Sequence, residues 1–208
     1  MKKLIFLLAI AAFTINAQAG DKFQLGVKAG FNSTHFTTDN YDVTGITINN
    51  VTEDAKSGYS LGVYGRIPIT ERLRFQPELY YISKNGSSDF TIDNVVTPSN
   101  VEIQAWDIPL LLNYSIINLK VADIYVIGGP AISFLGNPLT TNLNENYKSA
   151  AWNFQAGVGV EIWKFNLDTR YEWGLSDLSE GGTSKDGVPY DLTRKSKSFQ
   201  INLSFQLF

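Results

Sequence analysis

The chain ends in SFQINLSFQLF, where Phe199, Ile201, Leu203, Phe205 and Leu207 alternate without a break against Ser198, Gln200, Asn202, Ser204 and Gln206. Successive side chains of a strand point to opposite faces, so this period of two dictates a β-strand with one apolar and one polar surface. What the apolar surface touches, whether a protein core, a greasy ligand or lipid, constrains everything else about the chain.

The same alternation recurs through the sequence. Phe23, Leu25, Val27, Ala29 and Phe31 share one face of a first stretch, with Lys28 on the other. Tyr59 to Ile69 sets Tyr59, Leu61 and Val63 against Tyr64 and Arg66, and Leu73 to Tyr81 sets Leu73, Phe75, Leu79 and Tyr81 against Arg74 and Glu78. Trp106 to Tyr114 carries Asp107 and Asn113 on its polar side. Trp152 to Ile162 opposes Glu161, and Phe165 to Leu175 opposes Asp168, Arg170 and Glu172. DIYVIGGPAISFL, from Asp123 to Leu135, is apolar on both faces and cannot be phased; Gly128, Gly129 and Pro130 suggest a bulge or bend there.

Connections also alternate. Long polar segments are expected as loops at Ser33 to Lys56, Asn85 to Asn100, Gly136 to Ala150 and Ser176 to Ser196, while short joins fall at Glu71-Arg72, Asn118 to Ala122 and Lys164. Eight antiparallel strands with long loops at one end and tight turns at the other read as an all-β, up-and-down barrel.

The first residues, MKKLIFLLAIAAFTINAQAG, combine Lys2 and Lys3, an apolar run and small residues at Ala17 and Ala19. That is a secretory signal peptide over residues 1–19, with cleavage after Ala17 nearly as plausible, leaving residues 20–208 as one barrel domain. No later apolar run approaches the roughly 20 residues of a membrane helix, so any crossing is made by strands. The absence of Cys excludes disulfides, thiolate metal sites and a Cys-borne lipid anchor. With a net charge of -3 and its charges spread along the chain, it lacks the basic field of a nucleic-acid binder.

A secreted lipocalin also has eight strands, but keeps its apolar face inward. Here the aromatics argue for lipid. Threaded up and down, Phe31, Tyr59, Tyr81, Trp106, Trp152, Trp173 and Phe199 fall on the apolar face near the long-loop end, and Phe23, Phe75, Tyr114, Phe165 and Phe205 near the short-turn end. Two aromatic girdles around an aliphatic band suit a bilayer, whose headgroup level favours amphipathic rings. The expectation is therefore a transmembrane barrel in the outer membrane of a Gram-negative envelope. Its interior would hold Lys28, Arg66, Arg74 and Arg170 against Glu78, Glu161, Asp168 and Glu172. Buried charges must be paired, so this set reads as a plug of ion pairs and not an open pore.

Several segments resemble the PorT-like outer-membrane β-barrel family of Bacteroidetes-type bacteria: FQLGVKAGFNST, RFQPELYYISKNG, WDIPLLLNYS, IYVIGGPAISFL, NFQAGVGVEI and LDTRYEWGLSDL. The resemblance implies an integral outer-membrane barrel with outward-facing loops, one branch of the family taking part in secretion of surface proteins. Small barrels of this kind usually end on a lipid-facing aromatic, whereas parity here puts Leu207 outward and Phe208 inward unless a bulge intervenes.

Other chemistry is sparse. His35, the single histidine, lies near Ser33, Asp39 and Glu53, a set that would suit a lipid A-modifying enzyme. No nucleophile motif surrounds any Ser, and a polar residue at the barrel rim is the simpler reading. Lys185, Arg194, Lys195 and Lys197 could meet lipid phosphates, or form an ordinary solvated loop end. Gly157-x-Gly159 lacks the third Gly and the helix of a dinucleotide fingerprint. Asp39, Asp42, Glu53 and Asp54 match no calcium-loop spacing. Neither catalytic residues nor a metal or cofactor are expected; the partners expected are outer-membrane lipid and proteins that meet the loops of a monomeric barrel.

Overall fold

The computed structural model describes residues 23–42, 48–92, 95–119, 121–136, 139–140, 144–147, 149–183 and 189–208. The expected signal peptide and Lys185 lie outside them. Eight long strands run in chain order: β1 (Gln24–Asp42), β2 (Ile48–Pro68), β3 (Leu73–Ile92), β4 (Val95–Asn118), β5 (Ala122–Leu135), β6 (Ala150–Ile162), β7 (Phe165–Gly174) and β8 (Pro189–Gln206). Each pairs antiparallel with the next, and β8 returns to pair with β1, from Gly26↔Gln206 to Asp42↔Asp191. From Gly26 to Thr34 β1 is paired on both sides, by β8 and by β2, so the sheet closes on itself there, which is what a sheet needs to cross lipid.

The registers fix the tilt. Gly26 faces Tyr64, which faces Glu78; the same level passes through Pro109↔Ala131, Ala131↔Asn153 and Asn153↔Gly174, and returns through Ser196 to Phe36, ten residues from the start. That stagger corresponds to strands inclined by about 40°, and an eight-stranded barrel so inclined has an interior just wide enough for side chains to fill.

Sidedness follows the alternation. Leu61, Val158 and Leu203 are more than half exposed, at 63%, 55% and 54%, whereas the intervening Lys28, Arg66, Glu78, Gln155, Arg170 and Asn202 are buried. The apolar face points out and the polar face in, the reverse of a lipocalin. Glycines make room on the polar face: the Tyr64 ring lies where a Cβ of Gly26 would stand, and the Tyr125 ring does the same at Gly159.

Three expectations need correction. Much of what reads as loop is strand. β1 continues to Asp42 and β2 begins at Ile48, while β3 and β4 pair up to Ile92↔Val95, leaving only Asp93 and Asn94 between them. The β-branched and aromatic residues of FTIDNVVT favour this ladder. The Gly136 to Ala150 and Ser176 to Ser196 segments likewise contain short strands at Leu139–Thr140, Asn144–Tyr147 and Ser179–Thr183, the last two paired together. Second, β5 has no bulge: it runs in one register with β6 from Ala122↔Ile162 to Phe134↔Ala150. Gly129 instead lets β5 approach β4, since a Cβ there would overlap the Leu110 carbonyl oxygen. Third, Phe208 does not turn inward. The Leu25 carbonyl accepts from both the Leu207 and Phe208 amides, the pattern of a bulge, and both side chains are exposed.

Candidate functional site

Inward side chains stack in three charged layers along the barrel. Nearest the short turns, Arg66 on β2 donates to Glu161 on β6 at 2.5 Å, to Gln76 on β3 at 2.9 Å and to Asn166 on β7 at 3.2 Å. Arg74 on β3 reaches the same Glu161 and pairs with Asp123 on β5, which also accepts from the Ser115 hydroxyl. This layer roofs an open pocket of about 550 Å³ at the short-turn mouth, lined by Glu71, Arg74, Asp123, Glu161 and Trp163 among others.

The middle layer is fully enclosed. Arg170 on β7 grips Glu78 with both terminal nitrogens at 2.9 Å and reaches Asp168 at 2.6 Å through Nε. Lys28 on β1 donates to Glu78 at 2.7 Å and stands 4.5 Å from the centre of the Tyr80 ring. Gln76 and Asn202 add second donors to Glu78 Oε1 and Asp168 Oδ1, which already accept from Arg170. A two-pronged guanidinium contact of this kind holds both partners in one geometry. Above it, Lys84 on β3 donates to Glu172 at 2.6 Å and faces Asp107 on β4 at 3.5 Å, while Gln155 donates to Glu172 and to the Tyr80 hydroxyl, both at 2.7 Å. Towards the long-loop end the interior turns apolar, with Phe36, Ile103, Ala151 and Leu178 in one cluster and Tyr80, Ile82 and Ala105 in another.

The eight charged residues singled out in the sequence all project inward but fall into separate groups: Arg66, Arg74 and Glu161 meet near the short turns, Lys28, Glu78, Asp168 and Arg170 meet in the middle layer, and Glu172 pairs with Lys84 instead of with any of the other seven. Three members escaped the reading. Lys84 continues the inward parity of Arg74, Gln76, Glu78 and Tyr80, beyond the point where the third stretch was ended. Asp107 had the right parity but was not joined to the charged set. Asp123 sits on the segment that alternation alone could not phase, because Tyr125, Ile127 and Ala131 give β5 an apolar inner face too.

On the outside, Tyr81 stacks with Tyr59 and Trp106 at centroid distances of 6.4 and 5.7 Å, and Trp173 with Phe154 at 6.2 Å. At the other end Phe165 packs on Phe205 at 5.0 Å and on Trp163 at 6.2 Å. Phe31, Tyr114, Trp152 and Phe199 are exposed, Phe23 and Phe75 half-buried. In β4, Trp106 and Tyr114 bracket Ile108, Leu110 and Leu112. That interval spans roughly 27 Å of strand at about 3.4 Å per residue, the reach of a tilted strand across the apolar band of an outer membrane.

Ser33 and His35 lie on the outward face of β1, Ser33 exposed and His35 half-buried. The side chains of Asp39, Asp42, Glu53, Asp54 and Arg194 lie outside the described ones. Lys195 is 3.9 Å from Asp177, and Lys197 is exposed. Among the described residues, no group of three or more His, Cys, Asp or Glu is placed to hold a metal.

Among the described residues no helix is long and apolar enough to cross a membrane, and every regular element is a strand. Residues 16–180 match the outer membrane protein beta-barrel domain family. This chain belongs to that family. As an outer membrane β-barrel it is similar to OprG of Pseudomonas aeruginosa, with a TM-score of 0.63 at 12% identity over 93% of this chain and 98% of that one. It is also similar to AlkL in lipid bilayers (TM-score 0.46, 16% identity, 92% and 94% covered) and to Ail of Yersinia pestis (TM-score 0.39, 9% identity, 90% and 100% covered). The OprG likeness carries the fold alone. A comparison with curated protein sequences finds no match. The family and the closed, apolar-faced barrel place this outer membrane β-barrel protein in the outer membrane.

Proposed function

We propose that this protein is a non-conducting, monomeric outer-membrane anchor that presents its extended hairpins to partners outside the cell. The observation that carries this reading is the filled interior: Lys28, Glu78, Lys84, Arg170 and Glu172 are all buried on successive layers, and the pairs they form cross the lumen from strand to strand. A filled lumen leaves the strands above the bilayer as the surface on which specificity is built. β4 is 24 residues long, while a tilted strand crosses lipid in about 9–11, so the β3–β4 hairpin projects well beyond the headgroups.

In this reading the two sets of outward aromatics sit at the headgroup levels, and outer-membrane lipid is the constant partner of the barrel. The PorT-like segments add a finer expectation, that the hairpins serve the secretion of surface proteins. The test is to shorten the β3–β4 hairpin by joining Asn85 to its partner Glu102 through a two-residue turn. The trimmed protein should still reach the outer membrane and shift on boiling in detergent, while cells carrying it should lose surface-protein export as a full deletion does. A trimmed barrel that restores every phenotype of the deletion would refute the interaction role.

The outward placement of Ser33 and His35 does not support catalysis through His35. Replacement His35→Ala should leave the lipid A profile unchanged; a lost acyl modification would revive the enzymatic reading.

A further inference from the structure

The lipid-facing row of β8 runs upward through Leu207, Phe205, Leu203, Ile201 and Phe199 to Lys197, which is exposed. Phe199 belongs to the aromatic set at the long-hairpin end, and Lys197 is the next outward position beyond it. On or just past the other seven strands the corresponding position is uncharged, Ser33, Ser57, Gln104 and Leu175 among them. Directly above the ring level, the barrel thus carries its charge on β8.

The register sets its surroundings. Trp173 of β7 lies opposite Lys197 on one side and His35 of β1 on the other, both also outward. Two residues beyond Phe199 is about 7 Å of strand, or about 5 Å along the membrane normal at a tilt of about 40°. The methylene stem can therefore lie over the ring band while the ammonium reaches the head groups. Among the described residues Lys197 forms no ion pair. Other exposed cations stand in the same sector: Lys195 two residues on, and Lys56 of β2, opposite Thr34 of β1. Asp177, 3.9 Å from Lys195, offsets part of that charge and leaves Lys197 as the principal cation.

We propose that Lys197 holds the phosphate of an outer-leaflet lipid head group, with Lys195 and Lys56 drawing anionic lipid to the same sector of the rim. A cation at the head-group level has lipid phosphate as its nearest counter-charge, and a charge-assisted contact there is short and strong. The choice of leaflet rests on the outward-facing hairpins proposed above. The head-group contact itself does not depend on what those hairpins bind, so it stands or falls separately from the export phenotype.

The test is urea unfolding in vesicles of digalactosyldiacylglycerol, which contain no phosphate, against the same vesicles doped with phosphatidylglycerol. Lys197→Gln should lower the folded-to-unfolded ratio about fivefold in the doped vesicles, the scale of one Lys at an anionic surface, and leave it unchanged in the galactolipid. Lys197→Arg should behave as the wild type in both. An equal loss in both lipids would make Lys197 a structural residue, and no loss in either a solvated one; each result overturns the proposal. Nitrogen–phosphorus dipolar dephasing in solid-state NMR reads the contact directly on the wild-type protein in the doped vesicles. The Lys197 ammonium signal should be dephased by lipid phosphorus, and an undephased signal overturns the site whatever the stabilities show.

Discussion

Replacing Arg170 with methionine removes the centre of the middle layer while keeping much of its volume. Four hydrogen bonds disappear, two to Glu78 at 2.9 Å and two to Asp168 at 2.6 and 3.1 Å. Lys28 still holds Glu78 at 2.7 Å and Asn202 still donates to Asp168 at 2.9 Å, but the layer is left with one buried charge unpaired. Breaking a buried pair by removing one partner costs about 3–5 kcal/mol. The double variant Arg170→Met/Asp168→Asn restores the charge balance with near-identical shapes and is expected to recover at least half of that loss. Urea unfolding in lipid vesicles, followed by the fluorescence of Trp106, Trp152, Trp163 and Trp173 and by the boiling-dependent gel shift, measures both. A single variant costing under about 1 kcal/mol, the scale of an exposed pair, or a double variant less stable than the single, would refute the pairing logic.

Leu203 lies in the outward aliphatic band, opposite Leu167 and Ala29. Leu203→Arg should destabilise the barrel in vesicles by about 2–4 kcal/mol, as for cations near the bilayer midplane, and no loss in thin-micelle or bilayer folding would argue against lipid contact there. A Cβ at Gly157 would overlap the Thr169 carbonyl oxygen and crowd Arg170; Gly157→Ala is therefore expected to cost about 1–3 kcal/mol by overpacking, visible as a lower urea midpoint, while Gly65→Ala, where the nearest atom is 3.3 Å away on the Phe23 ring, should cost less.

Wherever lipid and lumen impose opposite demands on neighbouring residues, the fold was legible from alternation. β8 is the clearest case: Phe199, Ile201 and Leu203 are exposed and Ser198, Gln200 and Asn202 buried along its membrane-spanning half. β5 escaped because Leu111, Tyr125 and Ile127 form an apolar patch inside the barrel, erasing the contrast between faces. The hairpin extensions were read as loops for the converse reason. Beyond the bilayer neither face of a strand must be apolar, so residues 85–92 and 95–102 pair through their backbones with no periodic signal. Lys84 and Asp107 follow inward parity strictly, yet their pairing depends on the stagger between β3 and β4, which no local pattern encodes.

The occluded lumen is tested most directly by reconstituting the purified, heat-modifiable protein into planar lipid bilayers and recording single-channel current. Three cross-lumen layers of paired side chains lead to a bilayer that stays as resistive as lipid alone. Reproducible stepwise conductance from the wild-type protein would mean that water and ions pass the Lys28, Glu78 and Arg170 layer, and that the barrel is a pore.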